Sequence, residues 1–135
     1  MAADGGQQLQ ITKNGGYSAI ASRDGQWLYY HNADGPYGPL RKISSEGAGD
    51  SEAIPLSVGR LAYTVTPAGV YFVSRSDQDR YSLQMFRFAT GKAAELAKLD
   101  YVPSVGLSVS TDERYVLLTK ADQRGTDLLL VENFH

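Results

Sequence analysis

The sequence repeats with a period of 44 residues, and this period limits the possible folds more than any other feature. The pattern of Ser22–Tyr30 (Ser-Arg-Asp-Gly-Gln-Trp-Leu-Tyr-Tyr) returns 44 residues later at Thr66–Phe72, and again at Ser110–Val116. A unit of about 40–45 residues is typical of one four-stranded blade of a β-propeller. The long apolar stripes of period 3.6 that a helical repeat needs are missing. We therefore predict an all-β fold built from four-stranded antiparallel blades.

Each unit divides into predicted strands at matching positions. Small residues recur in the first strands, at Ser18, Ala62 and Gly106, as expected where innermost strands crowd a central axis. Ala93–Leu99 has high helix propensity, so its strand prediction rests on the repeat. The predicted strands are Tyr17–Ala21, Trp27–Tyr30, Leu40–Ser44 and Ala53–Leu56; Leu61–Val65, Tyr71–Val73, Leu83–Phe88 and Ala93–Leu99; and Val105–Val109, Tyr115–Thr119 and Leu128–Glu132.

The turns between first and second strands follow the repeat less closely. Ser22–Gly25 and Thr66–Gly69 carry the residues of type I turns, with glycine in the fourth position. The third copy has Glu113 where a glycine would relieve a positive φ. This hairpin is therefore expected either to use another turn or to carry strain.

The N-terminal strand Gln8–Thr12 is in phase with the fourth strands, because a step of 44 leads from Ile11 to Pro55 and then to Leu99. The chain therefore reads as one outer strand, two complete blades and a last blade of three strands. We expect a disordered N-terminus over 1–7, an outer strand over 8–12, blade 1 over 17–56, blade 2 over 61–99, and blade 3, without a fourth strand of its own, over 105–135.

Three blades are too few to surround an axis, since propellers typically have 4–8. A two-fold homodimer would make a six-bladed ring by strand exchange, with Leu9 and Ile11 of each subunit beside Leu128 and Leu130 of the other. Such closure would remove every exposed sheet edge. The alternative is an excised or engineered fragment that begins part-way through a larger propeller, with Met1 added. Such a fragment would aggregate, pair in another way or have no ligand of its own.

The motifs at Ser22–Tyr30 and Ser110–Leu118 resemble the repeats of TolB-like and other WD-like β-propellers. The ending Asp127–Phe134 resembles the end of propeller domains that follow a winged-helix DNA-binding domain in some bacterial CadC-like transcriptional regulators. That resemblance implies a bacterial sensory or protein-binding domain whose DNA-binding half lies outside this sequence. The repeat motif marks turns and packing and implies no catalytic residue.

Few residues could carry out chemistry. His31 is the only histidine besides the terminal His135, and a hydrogen-bonded structural role is expected for it. Asp77 and Asp79 lack the further spaced oxygen ligands of a calcium loop, so they are expected in a solvated loop. We therefore predict a binding module that is not an enzyme and has no metal or cofactor. The alternative is a propeller enzyme or metal-binding propeller with its site at the channel mouth.

The most plausible binding surface is formed by the loops around that mouth, because loops on a rigid scaffold often carry function. Tyrosines, arginines and mixed charges there suit a peptide or protein ligand. The candidate residues are Lys13, Tyr37, Arg60, Asp77, Asp79, Arg80, Tyr81, Asp122 and Arg124.

Composition narrows the class of protein further. The chain has 135 residues, 42% of them hydrophobic, and a formal charge of −2, which provides no basic surface for nucleic acid. No cysteine is present, so disulfides and thiolate metal sites are excluded. No apolar run is long enough to cross a bilayer, and the start lacks a signal-peptide pattern. We expect a soluble chain, cytoplasmic as expressed, that binds neither nucleic acid nor membranes.

Overall fold

The computed structural model describes residues 16–32, 35–122 and 125–132, which form ten strands and no helix. The all-β prediction is thereby confirmed for this part of the chain, and no helix in it could cross a membrane. The predictions for residues 1–7 and 8–12 lie outside the described residues. The strands are β1 (Tyr17–Ala21), β2 (Trp27–His31), β3 (Tyr37–Ser44), β4 (Ser51–Val65), β5 (Gly69–Arg75), β6 (Tyr81–Arg87), β7 (Lys92–Leu99), β8 (Pro103–Val109), β9 (Tyr115–Asp122) and β10 (Gly125–Glu132).

The strands form two antiparallel sheets. β1 to β7 make a seven-stranded sheet in chain order, and β8, β9 and β10 make a three-stranded sheet with β9 in the centre. Apart from β4, the strands lie where the 44-residue step predicted them, with ends that differ by a few residues. Lys92–Leu99 is extended despite its helix propensity because it pairs along its length with β6, and sheet context overrides such local preferences.

β4 departs from the prediction, because one strand of 15 residues replaces the two strands and the loop expected over 53–65. It pairs with β3 along residues 51–59 and with β5 along residues 58–65. Val58 is the point of exchange, since it pairs with Gly38 on one side and with Ser74 on the other. The expected loop around residues 57–60 was therefore wrong, because these residues continue the strand and Val58 and Gly59 take part in its pairing.

For the description below, the first unit is β1 to β3 with residues 51–59, the second is residues 58–65 with β5 to β7, and the third is β8 to β10. The division of the chain into blades stays a prediction. Two apolar clusters hold the units together face to face. The first joins Tyr29, Leu40, Ile54 and Val58 to Tyr63, Val65, Val70 and Phe72. The second joins Ala62, Tyr71, Val73, Leu83 and Met85 to Val116 and Leu118.

The innermost strand of each unit has an irregular register at the same place. The pairing of β1 with β2, β4 with β5 and β8 with β9 shifts across Ser18, Ala62 and Gly106 respectively. Ser18 and Gly106 have positive φ values of 54° and 110°. The hydroxyl of buried Tyr63 donates to the carbonyls of Ser18 and Tyr29, which ties down the first of these bulges. The small residues therefore coincide with bulges of the backbone.

The turns explain the three repeat motifs. Gly25 and Glu113 have φ values of 73° and 58°, and each amide donates to the serine carbonyl three residues before it. The third hairpin therefore keeps the turn of the first and accepts the strain of a side chain at positive φ. Gly69 has no positive φ; it is needed because a Cβ there would lie 1.9 Å from the carbonyl oxygen of Phe86. The type I turn predicted for Thr66–Gly69 stays a prediction.

Candidate functional site

Successive connections of an antiparallel meander emerge at opposite ends of its strands. The hairpin turns that contain Gly25, Gly69 and Glu113 lie at one end. At the other end, which we call the loop face, β2 leads to β3, β5 leads to β6 and β7 leads to β8. The candidate site is built on the loop face, where the rigid strands hold the side chains at their ends.

Two tyrosines form the centre of this face. The rings of Tyr37 and Tyr81, which begin β3 and β6, have centroids 6.0 Å apart and are tilted by 51°. The guanidinium carbon of Arg75 lies 4.8 Å from the Tyr37 ring centroid, in cation–π contact. Burial raises the pKa of Tyr37, and the neighbouring Tyr81 adds to this, while Arg75 opposes it. The Tyr37 hydroxyl is therefore protonated at neutral pH and can donate a hydrogen bond.

A small pocket of about 190 Å³ lies on one side of this pair. Its lining is mostly apolar, and Tyr37 and Arg60 carry its polar side-chain groups. The Arg60 amide donates to the Pro36 carbonyl over 2.8 Å. The Arg60 guanidinium carbon lies 5.0 Å from the ring centroid of Tyr17. Among the described residues, Arg60 has no carboxylate within ion-pair distance. The lining residues are Pro36, Tyr37, Gly59, Arg60, Leu61, Ala62, Pro103 and Val105.

A larger groove of about 480 Å³ lies on the other side, between the start of β6 and the end of β7. Its walls carry both signs of charge. Burial raises the pKa of Tyr101, with Asp100 acting in the same direction, and the Lys120 ammonium lies 5.4 Å from the Tyr101 ring centroid. Asp79 has a positive φ of 56° at its rim. The lining residues are Asp79, Arg80, Tyr81, Ser82, Glu95, Lys98, Leu99, Asp100, Tyr101 and Val102.

His31 lies inside the protein and does not line either depression. Its Nε2 is 3.1 Å from the carbonyl oxygen of Val58, and its ring meets Tyr63 edge to face. Burial lowers the pKa of His31, Arg60 acts in the same direction, and the backbone carbonyls of Val58 and Gly38 oppose the change. The ring is therefore neutral at pH 7, and its contacts are those of a structural histidine.

The predicted site residues divide between the two depressions. Tyr37 and Arg60 line the small pocket, and Asp79, Arg80 and Tyr81 line the larger groove. Asp77 lies in the exposed turn before them, and Asp122 ends β9, where its side chain is not described. Lys13 and Arg124 lie outside the described residues, as do Leu9 and Ile11. Leu128 and Leu130 are on β10, away from this face.

Sequence reasoning missed the part that β7 plays. Glu95 and Lys98 line the larger groove from inside a strand, whereas only loop residues had been considered. Tyr17, Leu61 and Val105 were also missed, although the 44-residue step places them at one position of the repeat. All three are large, exposed and close to the small pocket. An exposed apolar residue at the same place in three repeats is a signal that the sequence did contain.

The described residues contain no group of three histidine or acidic side chains that could hold a metal ion. A divalent cation usually requires several such oxygen or nitrogen ligands. The carboxylates of the larger groove are instead interleaved with lysine and arginine.

No protein-family model matches the chain, and no curated protein matches it in sequence. One similar solved structure is that of a candidate 6-phosphogluconolactonase from Bacteroides fragilis, with a TM-score of 0.50 and 13% sequence identity. The match covers 87% of this chain but 38% of that one. At this identity the likeness concerns the fold alone, which in that protein is a β-propeller. The TolB-like and CadC-like resemblances stay predictions.

This comparison corrects one expectation. The chain was predicted not to be an enzyme because it contains few nucleophiles and bases. A fold neighbour that is itself a candidate enzyme overturns that exclusion. The prediction failed because it counted histidine and cysteine, whereas carboxylates alone can serve as general acids and bases.

Proposed function

We propose that the chain is a ligand-binding β-propeller module whose loop face binds an anionic small molecule, with Arg60 as the main anchor. The observation that carries this proposal is the setting of Arg60. Its guanidinium is in cation–π contact with Tyr17 beside a mostly apolar pocket and has no carboxylate partner in the described part of the chain.

Arginine suits this role for three reasons. Its planar guanidinium can donate two parallel hydrogen bonds to a carboxylate or phosphate. The cation–π contact with Tyr17 holds the guanidinium in place in advance, so less side-chain freedom is lost on binding. The mostly apolar lining can pack against the carbon skeleton that carries the bound anionic group.

The size of the small pocket limits what enters it. Its volume of about 190 Å³ is below the range of about 300–1,000 Å³ usual for whole ligands. It therefore suits one anionic group, while the remainder of the ligand extends over Tyr37 and Tyr81 into the larger groove. The hydroxyls and mixed charges of that groove suit a polar ligand such as a sugar acid or a short peptide.

Calorimetric titration with inorganic phosphate and with 6-phosphogluconate tests the proposal. Arg60→Met should weaken 6-phosphogluconate binding about 10- to 100-fold, the effect of losing a charged hydrogen-bonded contact. The matched control is Arg114→Met, which removes a cation over Tyr115 at the opposite end of the strands. Equal affinities of the wild type and Arg60→Met, or no binding of either anion, would contradict the proposal.

Hydrolysis of a sugar lactone is the second candidate function, favoured by the fold neighbour. In such a reaction a general base takes a proton from water, the water oxygen attacks the carbonyl, and the ring oxygen leaves with a proton. Asp79, Glu95 and Asp100 line the larger groove, and in this proposal one of these carboxylates acts as the base.

The test is the rate of 6-phosphogluconolactone opening, followed by NMR, relative to the spontaneous reaction. An active chain should lose most of its added rate in Glu95→Gln or Asp100→Asn and keep it in Glu46→Gln, which changes an exposed turn residue. A rate equal to that of buffer would exclude this second function and leave the binding proposal untouched.

The resemblance to CadC-like regulators would make the bound molecule a signal. This refinement rests on that resemblance alone. It predicts that the anion, or a peptide in its place, changes the behaviour of a longer chain that includes a DNA-binding domain.

A further inference from the structure

The outer edge of β10 has no strand beside it in the described part of the chain. β10 pairs with β9 through residues 125–132. Its counterparts in the other two units, β3 and β6, are each paired on both sides, because β4 and β7 follow them. A strand edge with open N–H and C=O groups readily accepts a further strand.

Within residues 16–32, 35–122 and 125–132, nothing covers one face of β10 either. Leu128 and Leu130 are 66% and 57% exposed. The counterpart of Leu130 is Leu83, because these two pair with Leu117 and Val73, which are 44 residues apart. Leu83 is 0% exposed because the third unit packs against it. By the same packing, a further unit would cover Leu130.

We propose that a second copy of this chain supplies both missing parts. Its residues 8–12 pair with the outer edge of β10, and its first unit packs over Leu128 and Leu130. The sequence of Gln8–Thr12 supports this, since it alternates apolar and polar residues and is in phase with the outer strands. Two copies related by a two-fold axis make the same contact twice and close a ring.

The pairing of β6 with β7 sets the expected register. Leu83 pairs with Ala97 and Tyr81 pairs with Leu99, without a bulge between these pairs. When the repeat transfers this register to β10, Leu130 pairs with Leu9 of the partner subunit. Leu128 then pairs with Ile11 of the partner subunit. All four side chains then lie on one face, the face that the partner's first unit covers.

The chain's own geometry argues against the same contact within one molecule. β4 shows that outer-strand residues run directly into the innermost strand of the following unit. A strand over residues 8–12 that led into β1 in the same way would lie on the side of the first unit that faces away from β10. Five residues reach at most about 18 Å. The outer edge of β10 is farther from β1 than these 18 Å. Two sheet-to-sheet distances of about 10 Å and three spacings of about 5 Å between paired strands separate them.

Sedimentation equilibrium of the full chain at micromolar concentration is the first test. We expect a dimer, and Leu9→Asp with Ile11→Asp should raise its dissociation constant at least about 30-fold, as hot-spot substitutions do. Lys92→Asp, an exposed change on β7, is the control and should leave the dimer intact. A wild-type monomer at this concentration would overturn the proposal and point to further residues of a longer chain as the cover.

Cross-linking tests the register and does not depend on a destabilised variant. The chain has no cysteine, so single-cysteine variants can be mixed in pairs and oxidised. Gln10→Cys with Leu129→Cys should form a mixed disulfide, because this pair is in register and a disulfide needs Cα atoms within about 7 Å. Gln10→Cys with Glu132→Cys lies about 10 Å out of register and should form far less. Equal yields for the two pairs would overturn the strand exchange.

Discussion

The hydroxyl of Tyr71 donates a hydrogen bond to Oε1 of Glu113 over 3.0 Å, and this contact joins the second unit to the turn before β9. Thr66 Oγ1 donates to the same oxygen over 2.9 Å. Burial raises the pKa of Tyr71, and the bond to Glu113 adds to the change. The carboxylate therefore offsets the backbone strain at Glu113, where φ is 58°.

Two substitutions of Glu113 separate these effects. Glu113→Ala should lower the free energy of unfolding by about 2–3 kcal/mol, because two hydrogen bonds to a charged acceptor are lost. Glu113→Gly loses the same bonds but relieves the positive φ, so it should be about 1 kcal/mol more stable than Glu113→Ala. Urea unfolding measures both. Equal stability of the two variants would show that the turn carries no strain.

Gly69 and Gly25 should respond differently to alanine although both end a repeat motif. A Cβ at Gly69 would overlap the Phe86 carbonyl, so Gly69→Ala should lower the free energy of unfolding by about 3 kcal/mol or more. A Cβ at Gly25 meets nothing within 4 Å, and only the positive φ penalises it, by about 1 kcal/mol. The comparison of the two melting curves checks this, and a larger loss at Gly25 would contradict the geometry.

Protonation of His31 should destabilise the protein. Burial places its folded-state pKa below the unfolded value of about 6.5, so the unfolded chain binds the proton more readily. Stability is then complete above pH 6.5 and falls as pH decreases toward the folded-state pKa, by at most about 1.4 kcal/mol per pH unit. His31→Gln should flatten the change between pH 7.5 and 5.5 in guanidinium unfolding. An unchanged slope in that variant would assign the effect to other groups.

The bulge at Ser18 should depend on Tyr63. Tyr63→Phe removes the hydroxyl that donates to the carbonyls of Ser18 and Tyr29, and we expect a loss of about 1–2 kcal/mol. Amide hydrogen exchange of β1 should increase in the same variant, because the bulge loses its anchor. Tyr17→Phe, at a half-exposed position, is the control and should change neither quantity.

The strands could be predicted because the 44-residue period places a strand at the same position of each unit, whether or not the residues of that segment favour a strand. Ala93–Leu99 shows this best: its residues favour a helix, and only the period placed it correctly in a sheet. The continuity of β4 could not be predicted in the same way. Residues such as Ser57 and Gly59 resemble a linker in sequence, and the exchange of pairing at Val58 is visible only in three dimensions.

The candidate site was predictable in part. The repeat indicated which ends of the strands meet, and so it brought Tyr37 near Tyr81. It did not indicate that Glu95 and Lys98 would turn toward the groove, because that depends on the register of β7 against β6. The contact of Arg60 with Tyr17 joins side chains of two strands beside a bulge, and the sequence signals that bulge only through small residues.

The unbroken run of β4 has a mechanical consequence. A strand that belongs to two neighbouring units leaves no hinge between them, so movement of one against the other would have to break ladder hydrogen bonds around Val58. The first two units should therefore open together as one cooperative block in hydrogen exchange. The third unit shares no strand with the second and is held to it by residues 100–102, by the second apolar cluster and by the bonds to Glu113, so it should open as a separate block in hydrogen exchange.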